Sequence, residues 1–297
     1  MCGIFGYVSD GRGSQMDNVK AGLLLQALAI ADQSRGKHST GLAVVTPEKA
    51  ILRKKALSGD EFVRQGNTDV LFKGRILACL GHNRFATAGA ITDRNAHPFA
   101  VRAGEKWNFG IHNGHVGRTR RLAKKFGVEE AEVDSETVFR AIARQQNGGE
   151  KVEDAIANVS EFISGSADFA FVYLNRRLEK ALYLWRTQER PLAVIDARKL
   201  GLGRWFCSTA EIFEIAWSSL RGILGDIDKL GLFEAESYRL YRVEYGHNSD
   251  LEFTAVRELE CRQAYERKSE SCDAGDREEF GGQLSFLNEG SDDWRVL

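Results

Sequence analysis

The first six residues, Met1-Cys2-Gly3-Ile4-Phe5-Gly6, constrain this chain more than any other stretch. Removal of the initiator methionine makes Cys2 the N-terminal residue, with a thiol and a free α-amine on the same residue. An α-amine ordinarily titrates at about 7.7–8.0, so near neutral pH part of it is unprotonated and able to take the thiol proton, directly or through a water. Gly3 to Val8 is a short apolar run of the kind that forms a strand. A glycine directly after the cysteine lets another group come close to the nucleophile. Taken alone, Met-Cys describes a buried cysteine at the start of an edge strand; the later segments decide against that description.

The chain has 297 residues, enough for one large domain or two small ones with an ample core. A formal net charge of −1 gives no overall case for binding nucleic acid or a membrane surface. No stretch is long enough to span a bilayer, and no basic region followed by an apolar run opens the chain. The five cysteines fall at positions 2, 79, 207, 261 and 272 without C-x-x-C spacing, so neither a zinc site nor a disulfide framework is expected. That usage fits a reducing cytoplasm. No cofactor is expected.

Along the chain, Asp17 is expected to cap a helix running to Ser34, with Leu24, Ala27, Leu28 and Ala31 at helical spacing. Strands are expected at 41–45, 51–55, 76–80 and 107–112, and helices at 59–65, 118–126, 135–145 and 152–164. Strands return at 169–174, 181–185, 191–195 and 205–207. Ser208 with Glu211 has the form of a capping box, and strands at 237–244 and 251–256 follow. Strands at both ends with helices clustered between favour an α+β layered domain over a doubly wound sheet. From Ser269 to Leu297 the chain carries eight acidic and two basic residues, leaving the rest at about +5. The expected division is a domain over 2–260 and an acidic, flexible tail over 261–297.

Five further stretches carry chemistry: Arg35-Gly36-Lys37-His38-Ser39-Thr40-Gly41, Gly81 through Gly89, Asn95-Ala96-His97-Pro98-Phe99, His112-Asn113-Gly114 and Asp134-Ser135-Glu136-Thr137. With Cys2-Gly3-Ile4-Phe5-Gly6, their order and spacing resemble the class II glutamine amidotransferase domain of the N-terminal-nucleophile hydrolases. The resemblance runs from Cys2 to roughly Glu244. In its later part, Ser208-Thr209-Ala210-Glu211 is similar to the family's Ala-Ser-Glu segment and Gly231 to Tyr241 to its closing strand.

The resemblance implies a four-layer αββα sandwich with Cys2 at a strand end between the sheets. It also implies glutamine as substrate: Cys2 attacks the side-chain amide, giving a tetrahedral oxyanion, then a γ-glutamyl thioester and ammonia. Asn113 (side-chain amide) and Gly114 (backbone N–H) match the oxyanion donors; read locally, Asn-Gly is also a hairpin turn. Arg84 occupies the position that binds the substrate carboxylate, a planar group suited to a guanidinium, and Thr87 helps at the same end. Asp134 matches the acceptor of the substrate ammonium, with an N-cap as its local alternative. Arg35 and His97 are supporting residues.

The chain departs from the family at His38, where several members carry an acidic residue, and at Ala88, where some have histidine. Nothing after Glu244 is long enough for an attached synthase domain, so a separate synthetase or acceptor protein is the expected partner. Alternatives are an amidase acting on another γ-glutamyl compound or peptide without ammonia transfer, and a non-catalytic glutamine-binding module. His82, His97 and His112 lack the spacing of metal ligands. The basic run Arg118 to Lys125 is a solvated helix face, or a docking patch for an acidic partner or nucleic acid. Between Gly89 and Pro98 the composition is that of a closing lid, and past Ser269 the apolar Phe280, Leu284, Phe286, Leu287 and Trp294 suit folding on a partner.

Overall fold

Alternation along the first strand explains why the chain builds outward from it. The computed structural model describes residues 1–177, 180–246, 250–260 and 295–296. In β1 (Gly3–Val8) every residue is buried. Ile4 and Val8 face a core between two sheets, whereas Phe5 and Tyr7 face a second core under helices. Burying a side chain of that size stabilises the fold by roughly 1.5–3 kcal/mol, so β1 is costly to detach. The residue preceding it, Cys2, is correspondingly fixed in space.

Three cores define four layers. In chain order, β1 is followed by α1 (Gln15–Ala31), β2 (Ser39–Val45), β3 (Ala50–Lys55), α2 (Gly59–Arg64), β4 (Ala78–Arg84), β5 (Phe99–Ala103) and β6 (Lys106–Val116). Then come α3 (Thr119–Phe126), α4 (Asp134–Asn147), α5 (Val152–Ile163), β7 (Ala167–Asn175), β8 (Ala181–Arg186), β9 (Ala193–Asp196) and β10 (Arg204–Cys207). The described chain closes with α6 (Ala210–Ser219), α7 (Arg221–Leu224), β11 (Gly231–Glu234), β12 (Arg239–Glu244), β13 (Thr254–Glu258) and β14 (Arg295–Val296). One sheet has the order β11-β9-β10-β1-β4-β2-β3-β14, the other β13-β12-β8-β7-β6-β5. Helices α1, α2 and α6 cover the outer face of the first sheet, and α3, α4 and α5 that of the second. The central core joins both inner faces. This is the expected αββα sandwich, with antiparallel pairing throughout.

Several local expectations need correction. Helix α1 is capped by Ser14, not Asp17: the Asp17 N–H donates to the Ser14 hydroxyl (3.1 Å) and the Ser14 N–H to the Asp17 carboxylate (2.9 Å). Asp17 is thus the acidic half of a capping box whose other half lies three residues earlier. Thr209, not Ser208, caps α6. The Ser208 hydroxyl is drawn instead to β1, where it accepts from Ile4 N at 2.7 Å. The segment Gly231 to Tyr241 is not one closing strand but β11 in one sheet and β12 in the other. Strand β5 was not anticipated, and β6 runs four residues past His112. Most of the acidic tail, including Phe280, Leu284, Phe286, Leu287 and Trp294, lies outside the described residues. Within it, the backbone of Arg295 and Val296 pairs with Leu52 and Ile51 of β3.

Candidate active site

Register brings the motifs together. Strand β1 lies between β10 and β4, with Gly3 opposite Asn83, so the end of β4 and the start of β1 meet. The Cys2 thiol sits against the first residue after β4: Phe85 N–H donates to Sγ at 3.4 Å, and Sγ reaches the Phe85 carbonyl at 3.5 Å. Across the gap between the sheets, the Cys2 backbone N–H donates to Asn113 Oδ1 at 3.1 Å. Asn113 and Gly114 lie inside β6, paired with Ala170 and Phe169 of β7, and make no hairpin turn. Gly114 has φ 140°, and a side chain there would collide with the Asp168 carbonyl at 1.9 Å. Only glycine fits.

The Asn113 amide is polarised by these contacts. Its oxygen is taken by Cys2, while its Nδ2, fully buried, has no hydrogen-bond partner. A buried donor without a partner costs about 1–3 kcal/mol, and such cost gathers at functional sites. Arg35 fixes the other side of Cys2, donating from Nε to the Cys2 carbonyl at 3.0 Å and from Nη2 towards Met1 Sδ at 3.7 Å.

Burial pushes the Cys2 thiol above its ordinary pKa; the Phe85 N–H, the chain terminus and Arg84 oppose the shift and Asp134 adds to it. The sulfur therefore holds its proton at rest and has to lose it as it attacks, which calls for a base within reach.

Arg84 and Asp134 both exert their charge on Cys2. The Arg84 guanidinium is held by backbone carbonyls, Ala90 at 3.0 Å from Nη1, and Ala88 and Gly89 from Nη2. It thus shapes the loop that follows β4 as well as supplying a cation. Asp134 is the first residue of α4 rather than its N-cap, which is Val133. Its carboxylate accepts from Val116 N and Ser135 N, each at 2.8 Å, tying the helix start to the end of β6. Thr87 is exposed on the loop between β4 and β5.

The stretch expected to be a lid is fastened at several points. Ala90 N–H donates to Glu132 (2.7 Å), Lys54 Nζ to the carbonyls of Arg94 and Ala96 (2.7 and 2.8 Å), and Asp93 pairs with Lys55 (3.0 Å).

His97 is buried, its ring 4.1 Å from His82 and 4.5 Å from Phe99 between centroids. His82 donates from Nε2 to the His112 carbonyl at 2.8 Å. His112 joins Ser135, 2.8 Å from its Nδ1, and Ser135 reaches Asp134 at 3.2 Å. Burial pushes His82 down to about 3, His112 to about 4 and His97 well below the imidazole range. All three rings are neutral, and they pack the space behind β4 and β6. Among the described residues, no group of three or more His, Cys, Asp or Glu is arranged to hold a metal. No described helix is long and apolar enough to cross a membrane.

Two residues near the nucleophile were not foreseen as part of the site. Phe85 lies within the Gly81 to Gly89 stretch, next to Arg84. Asp32 is fully buried, and an atom added to Gly3 would fall 2.1 Å from its Oδ2. Its one sequence signal is an acid four residues after Leu28, on the apolar stripe of α1.

Two antiparallel sheets between helical layers, with a cysteine directly before β1 beside an unsatisfied amide donor, make an N-terminal-nucleophile hydrolase fold. The chain is a homologue of class II glutamine amidotransferase domains. It is 25% identical over 257 residues to the glutamine–fructose-6-phosphate aminotransferase (isomerizing) of Thermococcus kodakarensis, covering 83% of this chain and 38% of that protein. The enzyme of the same description from Chlamydia caviae is 30% identical over 250 residues, covering 80% of this chain and 37% of the relative. The chain thus spans less than two fifths of the length of these relatives. The structure of glutamine phosphoribosylpyrophosphate amidotransferase from B. subtilis superposes with a TM-score of 0.60 at 18% identity, over 82% of this chain and 47% of that one. At that identity the likeness is one of fold. No family model matches the chain.

Proposed function

We propose that the chain hydrolyses the side-chain amide of glutamine through Cys2 and delivers the ammonia to a separate acceptor enzyme. The observation that carries this reading is the Asn113 amide, whose oxygen holds the Cys2 nitrogen and whose buried Nδ2 has no partner. With Met1 removed, the Cys2 nitrogen becomes an α-amine beside its own thiol. As Sγ bonds to the amide carbon, the thiol proton passes to that amine. The carbonyl oxygen becomes an oxyanion, accepting from Asn113 Nδ2 and the Gly114 N–H. The amine then returns the proton to the leaving nitrogen, which departs as ammonia, and a γ-glutamyl thioester remains. Water, deprotonated by the same amine, attacks the thioester; glutamate leaves and the thiol is restored.

The substrate is a zwitterion at its far end, and the cation of Arg84 and the anion of Asp134 match it. Free ammonia is mostly protonated in neutral water and no longer nucleophilic, so an acceptor docked over the site would receive it more efficiently than bulk solvent.

The test is ammonia release from glutamine by the purified chain, alone and with its acceptor. Intact mass of the active form should lack Met1, and Cys2→Ala should release no ammonia. Full turnover by a form that keeps Met1 would end the amine-base mechanism.

A second expected result concerns recognition. Arg84→Lys replaces a planar fork by a point charge, and Asp134→Asn removes the anion. Each should raise KM for glutamine by about tenfold or more while kcat falls less, since a uniformly used contact acts mainly on binding. Unchanged KM in both variants would remove these residues from the substrate site.

A further inference from the structure

We propose that His38 is a positioning residue for the nucleophile, acting through the backbone of Phe85 and Ala86. The inference rests on the reading of Cys2 as the nucleophile and extends it to a residue outside the reacting set.

Residues 85 and 86 lie just beyond the last hydrogen-bonded residue of β4, so the sheet itself does not hold them. Phe85 is 45% exposed, so core packing does not hold it either. Yet this residue presents both its N–H and its carbonyl to Cys2 Sγ. Something else has to fix it, and His38 makes three contacts there. Its backbone N–H donates to the Arg84 carbonyl at 3.0 Å. Its Nδ1 accepts from the Ala86 N–H at 2.9 Å. Its ring lies over the Phe85 ring, with centroids 4.8 Å apart and planes 27° from parallel. One side chain thus holds the loop by a lone pair on one residue and by a ring face on its neighbour.

Because Nδ1 accepts, it carries no proton in this contact, and the ring proton is on Nε2. The acceptor is therefore the function that a replacement must keep. An asparagine offers Oδ1 at nearly the position of Nδ1 and lacks the ring, whereas phenylalanine keeps a ring and lacks the acceptor.

The experiment uses the full chain with Met1 removed, as wild type and as His38→Asn, His38→Phe and His38→Ala. Two quantities are read: the rate of Cys2 alkylation by iodoacetamide, located by mass spectrometry, and kcat and KM for glutamine. A misplacement near 1 Å can cost a factor of about 10² in rate. Accordingly, His38→Ala and His38→Phe are expected to lower kcat by about 10- to 100-fold, with KM moving by less than about threefold. Alkylation should slow several-fold in the same two variants, as the Phe85 N–H no longer supports the forming thiolate. His38→Asn should recover most of both rates. A general loss of folding would lower all three variants together and appear in their thermal unfolding; rescue by asparagine alone has no such explanation. His38→Asn no better than His38→Ala, or His38→Ala at wild-type rates, overturns the proposal. Alkylation needs no glutamine. A wild-type chain that alkylates at Cys2 but releases no ammonia would overturn the amidotransferase reading, while the alkylation rates still decide the role of His38.

Discussion

Asn113→Ala is expected to lower kcat for glutamine hydrolysis by roughly 10²–10³, the usual effect of deleting one oxyanion donor, while leaving KM nearly unchanged. Strand β6 carries Asn113 inside a ladder with β7 and so fixes its backbone. The amide plane is then set by the Cys2 N–H at 3.1 Å from Oδ1, which directs Nδ2 away from that contact. Nδ2 has no ground-state partner to exchange, so its full hydrogen bond is available only when an oxygen with developing charge arrives. An interaction made only in the transition state raises kcat and not affinity. Folding should suffer little, since alanine removes one hydrogen bond, worth about 1 kcal/mol, together with the unsatisfied donor. Steady-state kinetics with thermal unfolding on the same preparations decide the matter. A variant with wild-type kcat would exclude Asn113 from the oxyanion site, and a fall in kcat matched by a large loss of stability would remove the catalytic explanation.

The same residue shows how far the sequence could be read. Asn113-Gly114 has the composition of a two-residue hairpin turn, and nothing within a few residues of it excludes one. What excludes it is β7, more than fifty residues later, which pairs straight through the position. Asp134 gave a similar conflict between helix cap and substrate contact. In the structure it starts α4 and binds the end of β6 while keeping its charge near Cys2 and Arg84. Strands with strong apolar runs, such as β1, β7 and β8, were legible because burial on both faces leaves a continuous signature. The helix starts were misplaced by one to three residues because Ser14 and Asp17, or Ser208 and Thr209, are chemically equivalent caps until tertiary contacts choose between them. Ser208 was claimed by Ile4, a residue 204 positions away. The split of Gly231 to Tyr241 between two sheets follows from pairing with β9 on one side and β8 on the other, which local pattern does not encode.

No motif singles out Asp32, yet it carries the largest expected effect on stability. Its side chain is fully buried at the end of α1, and neither carboxylate oxygen has a hydrogen-bond partner. Two influences compete. Desolvation disfavours the charged form, while the Arg35 cation favours it; the Ser208 hydroxyl donates to the Ile4 carbonyl instead. Arg35 directs its Nε to the Cys2 carbonyl, and desolvation wins: burial pushes Asp32 up to about 8. In the unfolded chain the same group titrates at about 3.9. Between those two values the folded state keeps a proton that the unfolded state has lost. The contribution of Asp32 to stability is therefore largest below about pH 4, declines as pH rises through that window and levels off above about pH 8. Taken at face value the span corresponds to about 6 kcal/mol, an upper bound because strand and helix relax around a buried charge. Asp32→Asn, neutral at every pH, should accordingly stabilise the protein at pH 8 by about 1–3 kcal/mol, after allowing for its own buried amide, and have little effect at pH 4. Chemical denaturation of both proteins across pH 4 to 8 is the measurement. The wild-type curve should slope downward with pH relative to that of the variant. Parallel curves, or a variant less stable at pH 8, would mean that Asp32 is ionised in the folded state and paired with Arg35.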